Sequence, residues 1–316
     1  MGFSERQKKW LTGLVGPRAV FDEPMKRHTS FRVGGKAEAL VIAADVSELV
    51  QLLSFSRDSG QPYFVIGAGT NLLVRDEGIR GLVIAVTKAM GKIDREPENG
   101  TDVIVNAMAG ASLKSLCRYA ADAGLSGINF ATGIPGTVGG ALRMNAGTTA
   151  GAVGDIVIGI TALLPGGEIR MLTRESLGFA YRRMQWPAGC MGKESASPPI
   201  IIDARFRLVP GDSTAIKAEA KALWTERKRK QPLNRPSAGC IFKNPSPETP
   251  AGMLIEKAGL KGKQSGGARV SDLHANFIVN EGDASAADIL RLMEIVQETV
   301  WKRYNIRLEP EVQIVG

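Results

Sequence analysis

The first chemical signal in this chain comes from backbone rather than side chains. Residues 127–147 read GINFATGIPGTVGGALRMNAG, and residues 67–74 read GAGTNLLV. Glycine tolerates positive φ and lets main-chain amides approach a ligand closely. Amides presented in this way bind phosphate. Two such loops beside β-rich sequence point to a bulky, phosphate-bearing cofactor. Taken alone, GAGTN is either a ligand loop or a tight turn, because it lacks a P-loop lysine and its spacing is not GxGxxG. The longer run is too rich in glycine for a helix or a regular strand. Its Ile134, Pro135, Val138 and Met144 set it apart from a flexible linker, and Thr132, Thr137 and Asn145 add side-chain donors.

Three further stretches carry reactive side chains. Tyr181-Arg182-Arg183 follows a helical turn, and by itself an arginine there reads as surface charge. Residues 238–245 read AGCIFKNP, which puts the Cys240 thiol on small, approachable backbone, with Lys243 and Asn244 following as a cation and an amide donor. That thiol is either reactive or a buried structural cysteine. The end of the chain, 306–315, alternates as a strand. Leu308, Val312 and Ile314 point one way and Glu309, Glu311 and Gln313 the other, so the pattern does not separate the two glutamates.

These groups sit in an ordinary globular composition, 44% hydrophobic and 23% charged over 316 residues, long enough for two or three domains. The three cysteines, Cys117, Cys190 and Cys240, form neither a disulfide framework nor a CxxC pair. With only His28 and His274 besides, no metal site is expected, and both histidines read as ordinary hydrogen-bonding side chains. No stretch approaches the length of a spanning helix, and the start lacks a signal-like apolar core, so a soluble, cytoplasmic protein is expected. The net charge of +8 favours anionic partners. Its densest run, RKRK at 227–230, has no interleaved aromatics, so a phosphate-bearing small molecule is the stronger reading and no nucleic-acid partner is expected.

The elements that must position these groups are legible in outline. Asp45 and Glu48 look like a capping box opening a helix whose Val46, Leu49, Val50 and Leu53 share a face. Strands are expected at 62–66, 82–86 and 103–108, and a polar joint at 94–102. A helix then carries Leu113, Leu116, Cys117 and Ala120 and stops at Gly124. Strands at 156–164 and 169–172 flank the hairpin signal Pro165-Gly166-Gly167, another lies at 200–209, and 187–199 reads as a loop. A basic helix runs to Lys230, and Ser285 with Asp288 opens a last helix whose Ile289, Met293, Val296 and Val300 align. The fold class is α+β, divided at 1–90, 91–210 and 211–316.

The ordered segments HTSFRVGG (28–35), VIGAGTNLLV (65–74), GIPGTVGGALRMNAG (133–147), FAYRR (179–183), AGCIFKNP (238–245), HANFIVN (274–280) and LEPEV (308–312) span nearly the whole chain. Together they resemble the UDP-N-acetylenolpyruvoylglucosamine reductase (UDP-N-acetylmuramate dehydrogenase) family, in its shorter branch without an extra tyrosine loop. The resemblance implies an FAD-binding fold of the vanillyl-alcohol-oxidase type, built of two αβ subdomains, with a C-terminal α+β substrate domain. FAD would be bound without a covalent link by Val65, Gly67, Ala68, Gly69, Thr70, Asn71 and Leu72. Gly133, Pro135, Gly136, Thr137, Gly139, Gly140, Asn145 and Ala146 would complete that site. The implied enzyme is a monomer that uses NADPH as co-substrate.

The implied reaction reduces an enolpyruvyl ether to a lactyl ether in peptidoglycan precursor synthesis. NADPH reduces FAD, the flavin passes hydride to C3 of UDP-N-acetylglucosamine enolpyruvate, and a protein acid protonates C2. Hydride addition builds negative charge on the carboxylate, so a cation must stand there beforehand. Arg182 matches the family's arginine and suits a bidentate grip. Glu311 matches its glutamate. The proton donor is usually serine, whereas this chain has Cys240. A thiol is a stronger acid than a hydroxyl and stays mostly protonated near neutrality, so donation remains available. Tyr181, Lys230, Lys243 and Asn244 would contact substrate, Asn244 and Lys230 at the diphosphate. The rival readings are another flavin oxidoreductase on the same fold, which should lack AGCIFKNP and LEPEV, and a non-catalytic nucleotide- or RNA-binding protein.

Overall fold

The computed structural model describes residues 2–96, 102–191 and 198–316. Parts of the polar joint expected at 94–102 and of the loop expected at 187–199 lie outside these residues. The chain divides into two compact units. One comprises Met1–Phe21, Ala39–Ala68 and Gly81–Thr225, the other Asp22–Glu38, Gly69–Arg80 and Glu226–Gly316.

The first unit holds most of the sheet structure. Most residues of the strands Ala19–Pro24, Lys36–Ile42, Ile79–Ala85 and Tyr63–Ile66, which pair in that order, belong to it. The parallel pair sets Tyr63 opposite Leu82 and Ile66 opposite Ala85. Helix Val46–Ser59 buries Leu49, Leu52, Leu53 and Phe55. Asp45 caps it, accepting from Glu48 N at 2.9 Å. The capping box expected there does not close. The Glu48 carboxylate instead accepts from Ala44 N at 2.8 Å and from Arg18, a partner 30 residues upstream that periodicity could not show. A second sheet pairs Ile169–Thr173, Val157–Leu163, Ile200–Pro210, Val103–Met108 and Ile93–Arg95 in that order. The hairpin at 165–167 forms as expected, with Leu164 N donating to Glu168 O at 2.8 Å. Helix Leu113–Asp122 is capped by Ser112 and buries Leu113, Leu116, Cys117 and Ala120. Alternating strand residues such as Val103, Val105, Ala107, Ala204, Phe206 and Leu208 join these helices in one apolar core.

The long glycine run is not free of helix. Val138–Arg143 is helical despite Gly139 and Gly140, capped by the Thr137 hydroxyl. Glycine disfavours helix by about 1 kcal/mol per residue. Here the cap and a close fit offset that cost. A Cβ built on Gly139 would lie 3.0 Å from Ala109 Cβ.

The second unit is organised by helix Ala286–Tyr304. Ser285 and Asp288 open it as expected, there closing a capping box, and Ile289, Met293, Val296 and Val300 are buried. Asp76 adds a second cap, accepting from Ala286 N and Ala287 N at 2.9 Å each. The helix packs with Ala251–Lys257 and the strands Gln264–Ser265, Ala268–Val270 and Ile278–Asn280. The terminal strand is shorter than expected. Only Gln313–Val315 is regular, paired in parallel with Leu72–Val74. Pro310, which has no N–H, interrupts the 306–315 pattern and makes a single bridge to Phe242.

Candidate active site

Gly67, at the start of the shorter loop, meets the long glycine run within the first unit. A side chain on Gly67 would collide with Thr137 Oγ1. That hydroxyl is already committed, accepting from Gly140 N at 3.3 Å. Gly133 and Gly136 take φ values of 80° and 129°, left-handed backbone that favours glycine. Gly139 donates its N–H to Ala109 O at 2.9 Å, so its small size serves packing of helix on strand. Gly140 is exposed and meets only Thr137 nearby. Beside them, Thr132 Oγ1 is buried with no hydrogen-bond partner among the described residues. An orphaned buried hydroxyl is costly unless a ligand completes it. Tightly apposed glycines, accessible backbone and an unmet hydroxyl fit a cofactor bearing phosphates and ring heteroatoms. The chain changes unit between Ala68 and Gly69. Gly69 adopts φ 62°, and a side chain there would strike His28 O.

Arg182 lies on the same unit as the long glycine run. Tyr181 and Arg182 form the turn of a β-hairpin, Gly178–Ala180 with Arg183–Gln185, which comes after a helical turn at Arg174–Ser176. Arg182 takes φ 56°, unusual for a side-chain-bearing residue. The glycine run pins this hairpin at two points. Arg182 Nη1 donates to Gly147 O at 3.1 Å, and Asn145 Nδ2 donates to Ala180 O at 3.0 Å. Asn145 Oδ1 also accepts from Gly154 N at 2.9 Å. The Arg182 guanidinium carbon stands 5.1 Å from the centre of the exposed Tyr181 ring.

Cys240 and Glu311 lie on the second unit. Cys240 is half-buried, whereas Cys117 and Cys190 are buried. The residue after it, Ile241, has both peptide groups occupied. Its N–H donates to Asn276 O at 2.9 Å and its carbonyl accepts from Glu311 N at 2.7 Å. Asn71 Nδ2 donates to Glu311 O at 3.1 Å, and Gln313 N donates to Asn71 O at 3.0 Å. The two glutamates left open by alternation differ in surroundings. Glu309 is largely exposed and pairs with Lys243 at 3.2 Å, while Glu311 is half-buried. Lys230 pairs with Glu226 along an exposed helix face. Asn244 Oδ1 accepts from Ala251 N at 3.0 Å. His28 pairs with Glu23 at 3.0 Å.

Sequence reasoning missed Asn276. It is only 2% exposed, and its carboxamide binds backbone 34 residues away. The segment HANFIVN was visible, but a buried amide whose partners are main-chain groups far along the chain leaves no periodic trace. Among the described residues, no helix is long and apolar enough to cross a membrane, and no cluster of His, Cys, Asp and Glu could hold a metal ion.

Residues 37–173 match the family model of an FAD binding domain, which places this fold among FAD-binding proteins with FAD as cofactor. Residues 231–315 match the model of the C-terminal domain of UDP-N-acetylenolpyruvoylglucosamine reductase. The chain is 46% identical over 311 residues to the UDP-N-acetylenolpyruvoylglucosamine reductase of Desulfosudis oleivorans, covering 98% of each. It is 39% identical to that of Geobacillus kaustophilus, over 100% of this chain and 99% of the relative. The crystal structure of UDP-N-acetylenolpyruvylglucosamine reductase from Thermus caldophilus superposes with a TM-score of 0.75 at 35% identity, covering 94% of this chain and 98% of that one. The chain belongs to the UDP-N-acetylenolpyruvoylglucosamine reductase family and is an enzyme of that kind. The α+β FAD-binding fold expected from the sequence is the fold observed.

Proposed function

We propose that this enzyme reduces UDP-N-acetylglucosamine enolpyruvate to UDP-N-acetylmuramate at the expense of NADPH. The observation that carries the reading is the pinning of the Arg182 hairpin by Gly147 and Asn145 of the glycine run. It ties a cation to the segment that suits the cofactor. Val65, Gly67, Ala68 and residues 69–72, with Gly133, Pro135, Gly136, Thr137, Gly139, Gly140, Asn145 and Ala146, hold FAD. Bound and reduced, FAD supplies the hydride that adds to C3 of the enolpyruvyl group.

Arg182 grips the substrate carboxylate and stabilises the charge that collects there, a preorganised cation that need not reorient during reaction. Glu311 holds a proton at the same carboxylate. Cys240 S–H gives its proton to C2 and leaves a thiolate, which solvent reprotonates. Tyr181, Lys230, Lys243 and Asn244 bind the nucleotide-sugar. For Lys243 and Lys230 this means exchanging the carboxylates of Glu309 and Glu226 for diphosphate, a small cost for exposed pairs. Residues 1–90 and 91–210 act as the two FAD-binding subdomains and 211–316 as the substrate domain, in a cytoplasmic monomer. Incubation with NADPH and the enolpyruvyl nucleotide-sugar under argon tests this. The expected product is heavier by two hydrogens and forms one-for-one with NADPH lost; NADPH consumption that needs oxygen and leaves the nucleotide-sugar unchanged would reject it.

A further inference from the structure

The segment that carries Cys240 is not part of a regular sheet. It meets the Glu311 segment through one isolated bridge, Phe242 to Pro310. Extended segments paired so briefly have little to set their register, and a slip of one residue turns each side chain to the opposite face. Three groups on and around Asn276 remove that freedom. Phe242 N donates to Asn276 Oδ1 at 3.0 Å, and Asn276 Nδ2 donates back to Phe242 O at 2.8 Å. The carboxamide thus offers Phe242 the donor and acceptor that a neighbouring strand would offer. The main chain of Asn276 takes the N–H of Ile241. Asn276 N in turn donates to His274 Nδ1 at 3.2 Å, which requires that nitrogen to be unprotonated. Across the bridge, Lys243 N donates to Glu309 O at 2.9 Å, and Glu311 is fixed from both sides by Ile241 and Asn71.

We infer that Asn276, held by His274, is a positioning residue that sets the register of Cys240 against Glu311. The inference rests on the roles proposed above for those two residues. Asn276 touches neither substrate nor cofactor in this scheme; it acts through Ile241, the neighbour of Cys240, whose N–H donates to Asn276 O and whose carbonyl accepts from Glu311 N. Its buried amide fixes the proton donor relative to the carboxylate, and it has no bearing on flavin reduction.

The experiment follows the two half-reactions separately by stopped flow, in holoenzyme carrying Asn276→Ala or the milder Asn276→Ser. Flavin reduction by NADPH should keep its wild-type rate. Reoxidation by the enolpyruvyl nucleotide-sugar should slow on the order of 100-fold in Asn276→Ala, the scale of an ångström of misplacement, with substrate affinity nearly unchanged. Asn276→Ser should lie between. As a readout independent of turnover, the pH profile of Cys240 alkylation by iodoacetamide should shift in both variants. Equal slowing of both half-reactions, or wild-type reoxidation with an unmoved alkylation profile, would overturn the inference. If Asn276→Ala does not fold, Asn276→Ser decides alone on the same criteria. Cys240→Ala and Glu311→Gln serve as controls. Wild-type reoxidation in those two would mean that the underlying roles are wrong. Slow reoxidation in them with normal Asn276 variants would mean that only the positioning inference is wrong.

Discussion

Gly67 and Thr137 interlock: the Thr137 hydroxyl occupies the place where a Gly67 side chain would stand, and it also caps helix Val138–Arg143. A methyl group at 67 must displace that hydroxyl, and loss of a threonine cap costs about 0.5–2 kcal/mol. Gly67→Ala should therefore purify with a depleted flavin band. Its FAD affinity should fall by about tenfold or more, the equivalent of ~1.4 kcal/mol. Titration of the apoprotein with FAD checks this, and affinity equal to wild type would separate the two glycine loops functionally.

Arg182 combines a strained backbone, φ 56°, with a guanidinium anchored to Gly147. Arg182→Ala should retain FAD but lose about 100- to 1,000-fold in kcat, the scale of removing one preorganised oxyanion donor. Arg182→Lys keeps the charge but not the planar fork, so it should recover only part of that loss. Steady-state rates normalised to bound flavin make the comparison.

Cys240 should be the thiol that reacts in the native protein. Burial pushes the Cys117 thiol up to about 12, and Cys190 is 2% exposed. Peptide mapping after brief iodoacetamide treatment should find label at Cys240 first, with activity lost in parallel. Cys240→Ser should keep activity, since a hydroxyl still carries a transferable proton. Cys240→Ala should lose about 100- to 10,000-fold, the usual contribution of a positioned acid. Full turnover by the alanine variant would exclude Cys240 as the donor.

His274 gives the protein a pH-dependent stability. Burial holds its pKa below the ordinary 6.5; a hydrogen bond to backbone opposes this, Lys261 adds to the lowering, and Glu256 opposes it more weakly. The unfolded chain therefore binds a proton at a higher pH than the folded chain does. Stability contributed by neutral His274 is present above about pH 6.5 and is lost as pH falls toward the depressed folded value. Protonation would also remove the acceptor for Asn276 N. Thermal melts should show Tm dropping on acidification through that window, with a shallower slope in His274→Asn. Parallel slopes would assign the acid sensitivity to other groups.

Much of this arrangement was legible where signals are local. The helix start at Ser285 and Asp288, the buried face of helix Ala286–Tyr304 and the hairpin at 165–167 each depend on residues within a turn or two of one another. The failures share long-range causes. Glu48 left its expected box because Arg18 offered a better partner. The helix inside the glycine run forms because Ala109 receives Gly139, which no local propensity reports. Pro310 broke a strand that alternation alone would have continued. Glu309 and Glu311 were indistinguishable by pattern, and Lys243 pairing with Glu309 separates their surroundings. Motif order pointed to the cofactor and to the residues proposed for the reaction, whereas the buried carboxamide of Asn276, bound to main chain 34 residues away, left no local trace.

In the proposed reaction, electrons pass from NADPH through bound FAD to an enolpyruvyl nucleotide-sugar. The visible spectrum of the purified protein, recorded anaerobically through successive additions, tests it most directly. A flavin band that bleaches with NADPH and returns on adding UDP-N-acetylglucosamine enolpyruvate is the predicted result. A band that bleaches but is restored only by oxygen would exclude that transfer.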